Sequence, residues 1–445
     1  MSFVDPQVSV SAQMSDIANA VVPSNARRSQ PATSSLVSIV SQSSAQGANG
    51  QVLFNLGNTP NTFIRNGSVY MKFKLTATTT ANAGADQWIR AGSAQCTASL
   101  SATAGANHVG SFSSVIQRLT IQAGASVIEQ INNYNVYHEA LALHTSGNYG
   151  LQDQQLLEGG QYSASAYDPD TWKVAQTSAG PPAVSPIGTQ RSAYICIPLF
   201  AGVFNAQDNK DFPLGLLQGG VQIVVDLASD AYALKATDCA PTFTVSEAVL
   251  SYEAITVSSE YMNALRGSLA QGGQLFQMPF VSCLSMNVAR SAVLDVVYGV
   301  GLSSLKAVIF TNKNTAVRTA QNYSLADTPT ALRIYADGKL QNNFQIADIA
   351  TYYTELNRAL GTLASRTSTS GHADMYKNYH DRFFYAGIGF NKFNESGLTM
   401  TGTACSQLQF HLESTVSSAG QTFIMMFYDA LLAISPVSGE SSVIR

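Results

Sequence analysis

Charge is what this sequence has least of. Of its 445 residues only 12% are Asp, Glu, Lys or Arg, against roughly 25% in an ordinary soluble domain. A solvated monomer relies on interspersed charge to remain unassociated. Here Ser, Thr, Asn and Gln must supply most of the polar surface, and these cost less to desolvate than ions. That composition suits a chain whose flanks are buried against copies of itself, and equally a neutral secreted protein. Basic runs are missing too. The net charge is −4 and the densest basic spot is Arg27–Arg28, so the electrostatic footprint of a nucleic-acid binder is absent and no specific nucleic-acid binding is expected. No apolar run approaches the ~20 residues that span a bilayer. The first residues lack the charged and apolar regions of a secretion signal, which leads to the expectation of folding in the cytosol or nucleus.

Cysteine is sparse and odd in number: Cys96, Cys196, Cys239, Cys283 and Cys405, with no CxxC pair. Free thiols are expected rather than a disulfide framework or a metal site. Cys196, between Ile195 and Ile197, is the one expected to be most buried. Catalytic signatures are missing as well: no G-x-S-x-G elbow, no H-E-x-x-H, no Walker loop, and no Rossmann glycine fingerprint after a strand. Of the six histidines, His138 and His144 fall on poorly matched faces of a predicted helix, and His108 stands alone. His411 alternates with Phe410 and Leu412 and should point to the polar face of its strand. His372 and His380, near Asp374 and Asp381, are the only cluster with the residue types for a metal or a general base, and they are read as a polar loop at a subunit contact. Asp168 and Asp170 flank a proline and are read as a turn. Sequons at Asn66, Asn322 and Asn394 matter only in a secreted chain. No catalytic, cofactor-binding or metal residue is therefore assigned, and no enzymatic activity is expected.

What the sequence does have is strand pattern, in a length that exceeds the roughly 250–300 residues of a single core. No aromatic residue occurs between Phe3 and Phe54, so residues 1–45 read as an arm outside any core. Within it Val10, Met14, Ile17 and Val21 form the stripe of a short amphipathic helix, begun by Asp5-Pro6 and ended by Pro23. From residue 51 the period becomes two. Val69 to Leu75, Val115 to Ile121, Val221 to Leu227 and Phe243 to Ile255 read as half-buried strands. After a glycine-rich joint (Arg266-Gly267-Ser268, Gln271-Gly272-Gly273) come Leu275 to Leu284, Val293 to Tyr298, Leu305 to Thr311, Leu332 to Ala336, Phe383 to Phe390, Gln407 to Leu412 and Phe423 to Ile434. Asp337-Gly338 is a hairpin turn candidate. Glu129 to His144 and Ile349 to Leu363 read as helices, and Thr145 to Gln190 as an elaborated loop. Many short strands between turn signals predict an all-β protein of sandwiches or barrels.

The order of several segments resembles that of the double jelly-roll major capsid proteins of polinton-like viruses, virophages, large DNA viruses and membrane-containing phages. Gly50 to Phe54 followed by Phe63 to Phe73 is similar to their opening strands. Ser114 to Leu119, then Ile128 to Asn135, is similar to a strand and an Asn-Tyr-Asn helix start. Ile197-Pro198-Leu199, Phe212-Pro213-Leu214, Ser303 to Phe310 and Phe427 to Ile434 continue the likeness, whereas Thr145 to Gln190 departs from it. The resemblance implies two jelly rolls in one chain: an arm (1–45), a first roll (46–262), a second roll (263–436) and a tail (437–445). It implies a homotrimer forming a pseudo-hexagonal capsomer of an icosahedral shell. Its partners would be neighbouring capsomers, penton and minor capsid proteins, and an internal membrane reached by the arm. The chain would reside in the virion, after assembly in the host cytoplasm or nucleus. The alternatives are a β-sandwich glycan-binding adhesin or spike, and a jelly-roll glycoside hydrolase, which would need two carboxylates across a cleft.

Overall fold

The structure, a computed structural model, describes residues 32–78, 87–91, 112–145, 173–175, 190–206, 210–236, 242–313, 329–341, 348–359, 385–390, 401–414 and 420–445. In chain order the first half holds β1 (Ala32–Val40), β2 (Gln46–Gly47), β3 (Gln51–Leu56), β4 (Thr62–Ile64), β5 (Tyr70–Thr78), β6 (Gln87–Ala91), β7 (Ile116–Ala123), β8 (Ser126–Asn132), β9 (Lys173–Ala175), β10 (Gln190–Pro198), β11 (Val221–Leu227), β12 (Leu234–Ala236) and β13 (Thr242–Val257). The second half holds β14 (Phe276–Ala289), β15 (Val293–Lys313), β16 (Pro329–Ala336), β17 (Lys339–Leu340), β18 (Tyr385–Gly389), β19 (Thr403–Ser414), β20 (Gln421–Ile434) and β21 (Ser441–Ile444). Helices α1 (Tyr134–Thr145), α2 (Asp230–Ala233), α3 (Ser259–Gln271) and α4 (Ile349–Ala359) lie in the connections.

Each half closes as a jelly roll. In the first, one sheet runs β1-β13-β5-β10 and the facing sheet β3-β11-β7-β8. The opening strand β1 thus lies beside the closing strand β13, and β3 beside β11. The second half repeats this order with fewer breaks. The long strand β15 serves both sheets. Its residues Val293 to Leu305 pair with β19, and Leu305 to Lys313 pair with β20, with register shifts between Gly299 and Leu305 where it turns the corner. The sheets are then β14-β20-β15-β18 and β15-β19-β16-β17. In both rolls a hairpin (β7–β8, β16–β17) leads to a helix, α1 or α4. Alternation explains the pairing: in β5 Met71, Phe73, Leu75 and Ala77 are buried while Lys72 is exposed, and β11 alternates without fault. The expected hairpin at Asp337-Gly338 is present, with φ of 48° and 74° at its two residues, the left-handed pair that such a turn needs. One continuous apolar cluster runs through both rolls.

Several expectations need correction. Residues 1–31 lie outside the described residues, so the predicted helix at Val10 to Val21 is not described. The span 1–45 is not wholly an arm, however. Ala32 to Val40 pair residue by residue with Val257 to Val249 of β13, because the first roll needs a strand at that edge. Ser34 and Arg65 both bond Glu253 there. The helix expected from Glu129 begins at Tyr134. Ile128 and Ile131 continue a strand, and Asn133 (φ 50°) breaks it and accepts the N–H groups of Val136 and Tyr137. The glycine-rich joint is a helix. Ser258 caps α3 by accepting the Tyr261 N–H, and Met262, Leu265 and Leu269 are buried at helical spacing before Gly273 (φ 59°) ends it. Within the span 437–445, Ser441 to Ile444 pair with β20. Cys196 is only half-buried because Ile195 and Ile197 take the inward positions. Cys283 and Cys405 are the buried ones, and all three are free thiols. Cys96 and Cys239 lie outside the described residues.

Candidate functional site: the junction and the open edges

The rolls meet where β8 runs beside β14. Glu129 of β8 is buried and accepts three hydrogen bonds: from the backbone N–H of Gly202 (3.1 Å) and Val203 (3.0 Å), and from the Ser282 hydroxyl of β14 (2.7 Å). Burial pushes its carboxyl above the usual range, and the three donors oppose that rise. At Gly202 the backbones nearly touch, since a Cβ there would fall 1.9 Å from the Val281 carbonyl oxygen. Farther along, Asn133 donates to Ser285 (3.2 Å) and accepts from Gln117 (2.9 Å). From α1, Glu139 takes the Lys313 ammonium of β15 on both oxygens (2.9 and 3.1 Å), and that ammonium sits 4.9 Å from the Tyr385 ring centre. Burial raises the Glu139 carboxyl and lowers the Lys313 ammonium, while their attraction works against both shifts. Tyr137 of α1 packs on Phe427 of β20 with ring centres 5.9 Å apart. His138 is fully buried, stacked on Phe200 at 4.6 Å, and desolvation lowers it to about 3. These groups face one another across a packed interface. The arrangement holds two rolls in register and aims no base or nucleophile into open space.

Of the residues singled out in the sequence, His108, His372, His380, Asp374, Asp381, Asp168, Asp170, Asn322 and Asn394 lie outside the described residues, and His144 is in the last turn of α1. His411 faces the polar side of β19 as expected, 3.0 Å from Glu413 and 3.6 Å from Asp295. Its hydrogen bond lowers the Glu413 carboxyl, as does the nearby Arg333. Asn66 is half-buried and donates its side-chain N–H to the Ala206 carbonyl (3.2 Å). Among the described residues no group of three or more His, Cys, Asp or Glu gathers as a metal site, and no helix is long and apolar enough to cross a membrane. The reading from sequence missed Glu129, Glu139 and Lys313. Their only signal was an ionisable residue inside or ending an apolar run, as in Ile128-Glu129 and Leu305 to Lys313.

Apolar side chains are left open at the roll edges. On β1 Leu36 and Val40 are 66% and 70% exposed, and on β17 Leu340 is 43% exposed. The positions correspond between rolls: β1 stands where β14 stands, and β17 where β8 stands. β14 and β8 cover each other inside the chain. Among the described residues, no strand pairs with the outer side of β1 or β17.

No family model matches the sequence, and no curated protein does. Solved structures do. The capsid of the virus PBCV-1 matches with a TM-score of 0.57 at 10% identity, over 94% of this chain and 98% of that one. The Sputnik virophage structure matches at 0.57 and 11% identity, over 100% of this chain and 92% of the other. The Faustovirus major capsid protein matches at 0.56 and 10% identity, over 94% and 93%. Over nearly its whole length the chain therefore has the double jelly-roll fold of these proteins.

Proposed function

We propose that this chain is a viral major capsid protein, a shell subunit without an active site whose two rolls assemble threefold into a pseudo-hexagonal capsomer. The observation that carries the reading is the half-filled junction. Inside the chain the first-strand edge of one roll (β14) is covered by the hairpin edge of the other (β8). The equivalent edges, β1 and β17, expose Leu36, Val40 and Leu340. A second copy placed by the same roll-to-roll step would set its β1 against β17 of the first, and three copies would close a ring of six rolls. Low charge density agrees, since obligate interfaces bury roughly 2,000–5,000 Å² and are more apolar than ordinary surface. The fold shared with capsid proteins of PBCV-1, Sputnik and Faustovirus supports the same reading. Residues before Ala32 would serve shell assembly, with neighbouring capsomers, penton and minor proteins or an internal membrane as partners, and the chain would reside in the virion of a DNA virus. Light scattering of the purified protein at micromolar concentration should give a trimer. Leu36→Asp/Val40→Asp should give a folded monomer that melts below the wild-type trimer, because the stabilisation contributed by assembly is lost. A stable wild-type monomer, or trimers indifferent to the double change, would refute the arrangement.

A further inference from the structure

Where the rolls part beyond Ser285, a cleft of about 730 Å³ opens between them, lined from the first roll by β7, β8 and β11 and from the second by β14 and β15. That volume is in the range of ligand sites, roughly 300–1,000 Å³, but the lining is unlike that of an apolar pocket. The carboxamides of Asn49, Gln117, Asn132, Asn133 and Asn287 dominate it. The charged pair in the wall, Arg118 and Asp226, closes on itself at 2.5 Å, and Asp226 takes Gln51 as well at 2.8 Å. Among the described lining residues the cleft therefore offers no uncompensated charge to an anion or a cation.

A carboxamide has two donors and two acceptor sites. The amide N–H of Gln117 goes to Asn133 and that of Asn287 goes to Gln421 (2.8 Å). The carbonyl oxygens of Gln117 and Asn287 take no hydrogen bond from the described residues. The wall also carries the half-buried Tyr298 and Met286, apolar surface beside the amide groups. Neutral donors and acceptors around an aromatic ring match a ligand that is itself rich in hydroxyl groups and has apolar C–H faces. We infer that this inter-roll cleft is a binding site for a neutral oligosaccharide, held by the carboxamides with a sugar face against Tyr298. An extended peptide fits less well, because peptide grooves rely on apolar side-chain pockets or a free strand edge, and Leu227, the other apolar lining residue, is itself buried.

The test uses the full-length assembled protein on a printed array holding neutral, sialylated and sulfated glycans. Calorimetric titration of the strongest neutral oligosaccharide follows, against wild type, Tyr298→Ala, Asn287→Ala and the cleft-filling Met286→Trp. Binding of a neutral glycan, weakened at least tenfold in Asn287→Ala and in either cleft variant that keeps the wild-type thermal midpoint, is the expected result. Asn287 is exposed, so its variant keeps the test decisive if Tyr298→Ala misfolds. The site assignment is overturned by binding of acidic glycans only, by no glycan binding, by affinities unmoved in the variants, or by capture of extended peptides instead. Because the same samples are sized by light scattering, loss of the sugar site is distinguishable from failure of the capsid reading.

Discussion

A methyl group added at Gly202 would land 1.9 Å from the carbonyl oxygen of Val281, on backbone that cannot swing aside, so one atom there decides how closely the two rolls approach. Gly202→Ala should separate the edges and strip Glu129 of its backbone donors. Loss of about 3 kcal/mol or more is expected in urea denaturation, the upper end for overpacking. His138 gives a second handle. Held near 3 by burial, it stays neutral in the folded chain while the unfolded chain takes up a proton below pH ~6.5. The unfolded state then binds more protons, so stability falls as pH drops below that value. Between pH 7.5 and pH 5 this group alone should remove about 2 kcal/mol. His138→Phe, compared with wild type in urea at both pH values, should narrow the gap by that amount; an unchanged gap would show that His138 does not titrate as described.

At the level of strands and helices, the link from α1 to β15 rests on an ion pair removed from water. Lys313→Met alone leaves Glu139 buried without its cation and should cost about 3–5 kcal/mol, whereas Lys313→Met with Glu139→Leu should recover most of that. Equal losses in the single and double variants would mean that the pair contributes more than mutual neutralisation. The elements themselves were largely legible in the sequence. Val221 to Leu227 and Phe423 to Ile434 declare a strand through alternation or an unbroken apolar run, and Asp337-Gly338 declares its turn. Where local pattern failed, a tertiary demand had overruled it. Ala32 to Val40 looks like an arm because it buries little, yet β13 requires a partner at that edge. Asn133 splits what looks like one helix, because its left-handed backbone is visible only in three dimensions. The junction was illegible for a different reason. Glu129 meets Ser282 across 153 residues of chain, and nothing near either residue announces the other.

For the molecule as a whole, the first roll takes in the chain from Ala32 onward. If the chain assembles as proposed, one beginning at Ala32 should keep the trimer and its thermal midpoint while closing shells poorly. A chain beginning at Gln46 loses β1 and should melt lower or fail to trimerise. Calorimetry and electron microscopy of the two truncations would separate these outcomes, and equal melting of both would deny β1 its place in the first roll. The adjacency of first and last strands also has a consequence in time. Ser38 bonds Ser251 across 213 residues, and β14 likewise waits for β20 at the far end of its roll. At a synthesis rate of roughly 5–20 residues per second, β1 leaves the ribosome some 10–40 s before its partner exists. During that interval Leu36, Val37, Ile39 and Val40 present an unpaired edge to every other nascent copy nearby. A sheet closed by its most distant strands is also slow to form. Production of this protein should accordingly be limited by the lifetime of half-made chains rather than by the stability of finished ones, with soluble yield rising when translation is slowed or a holding chaperone is supplied.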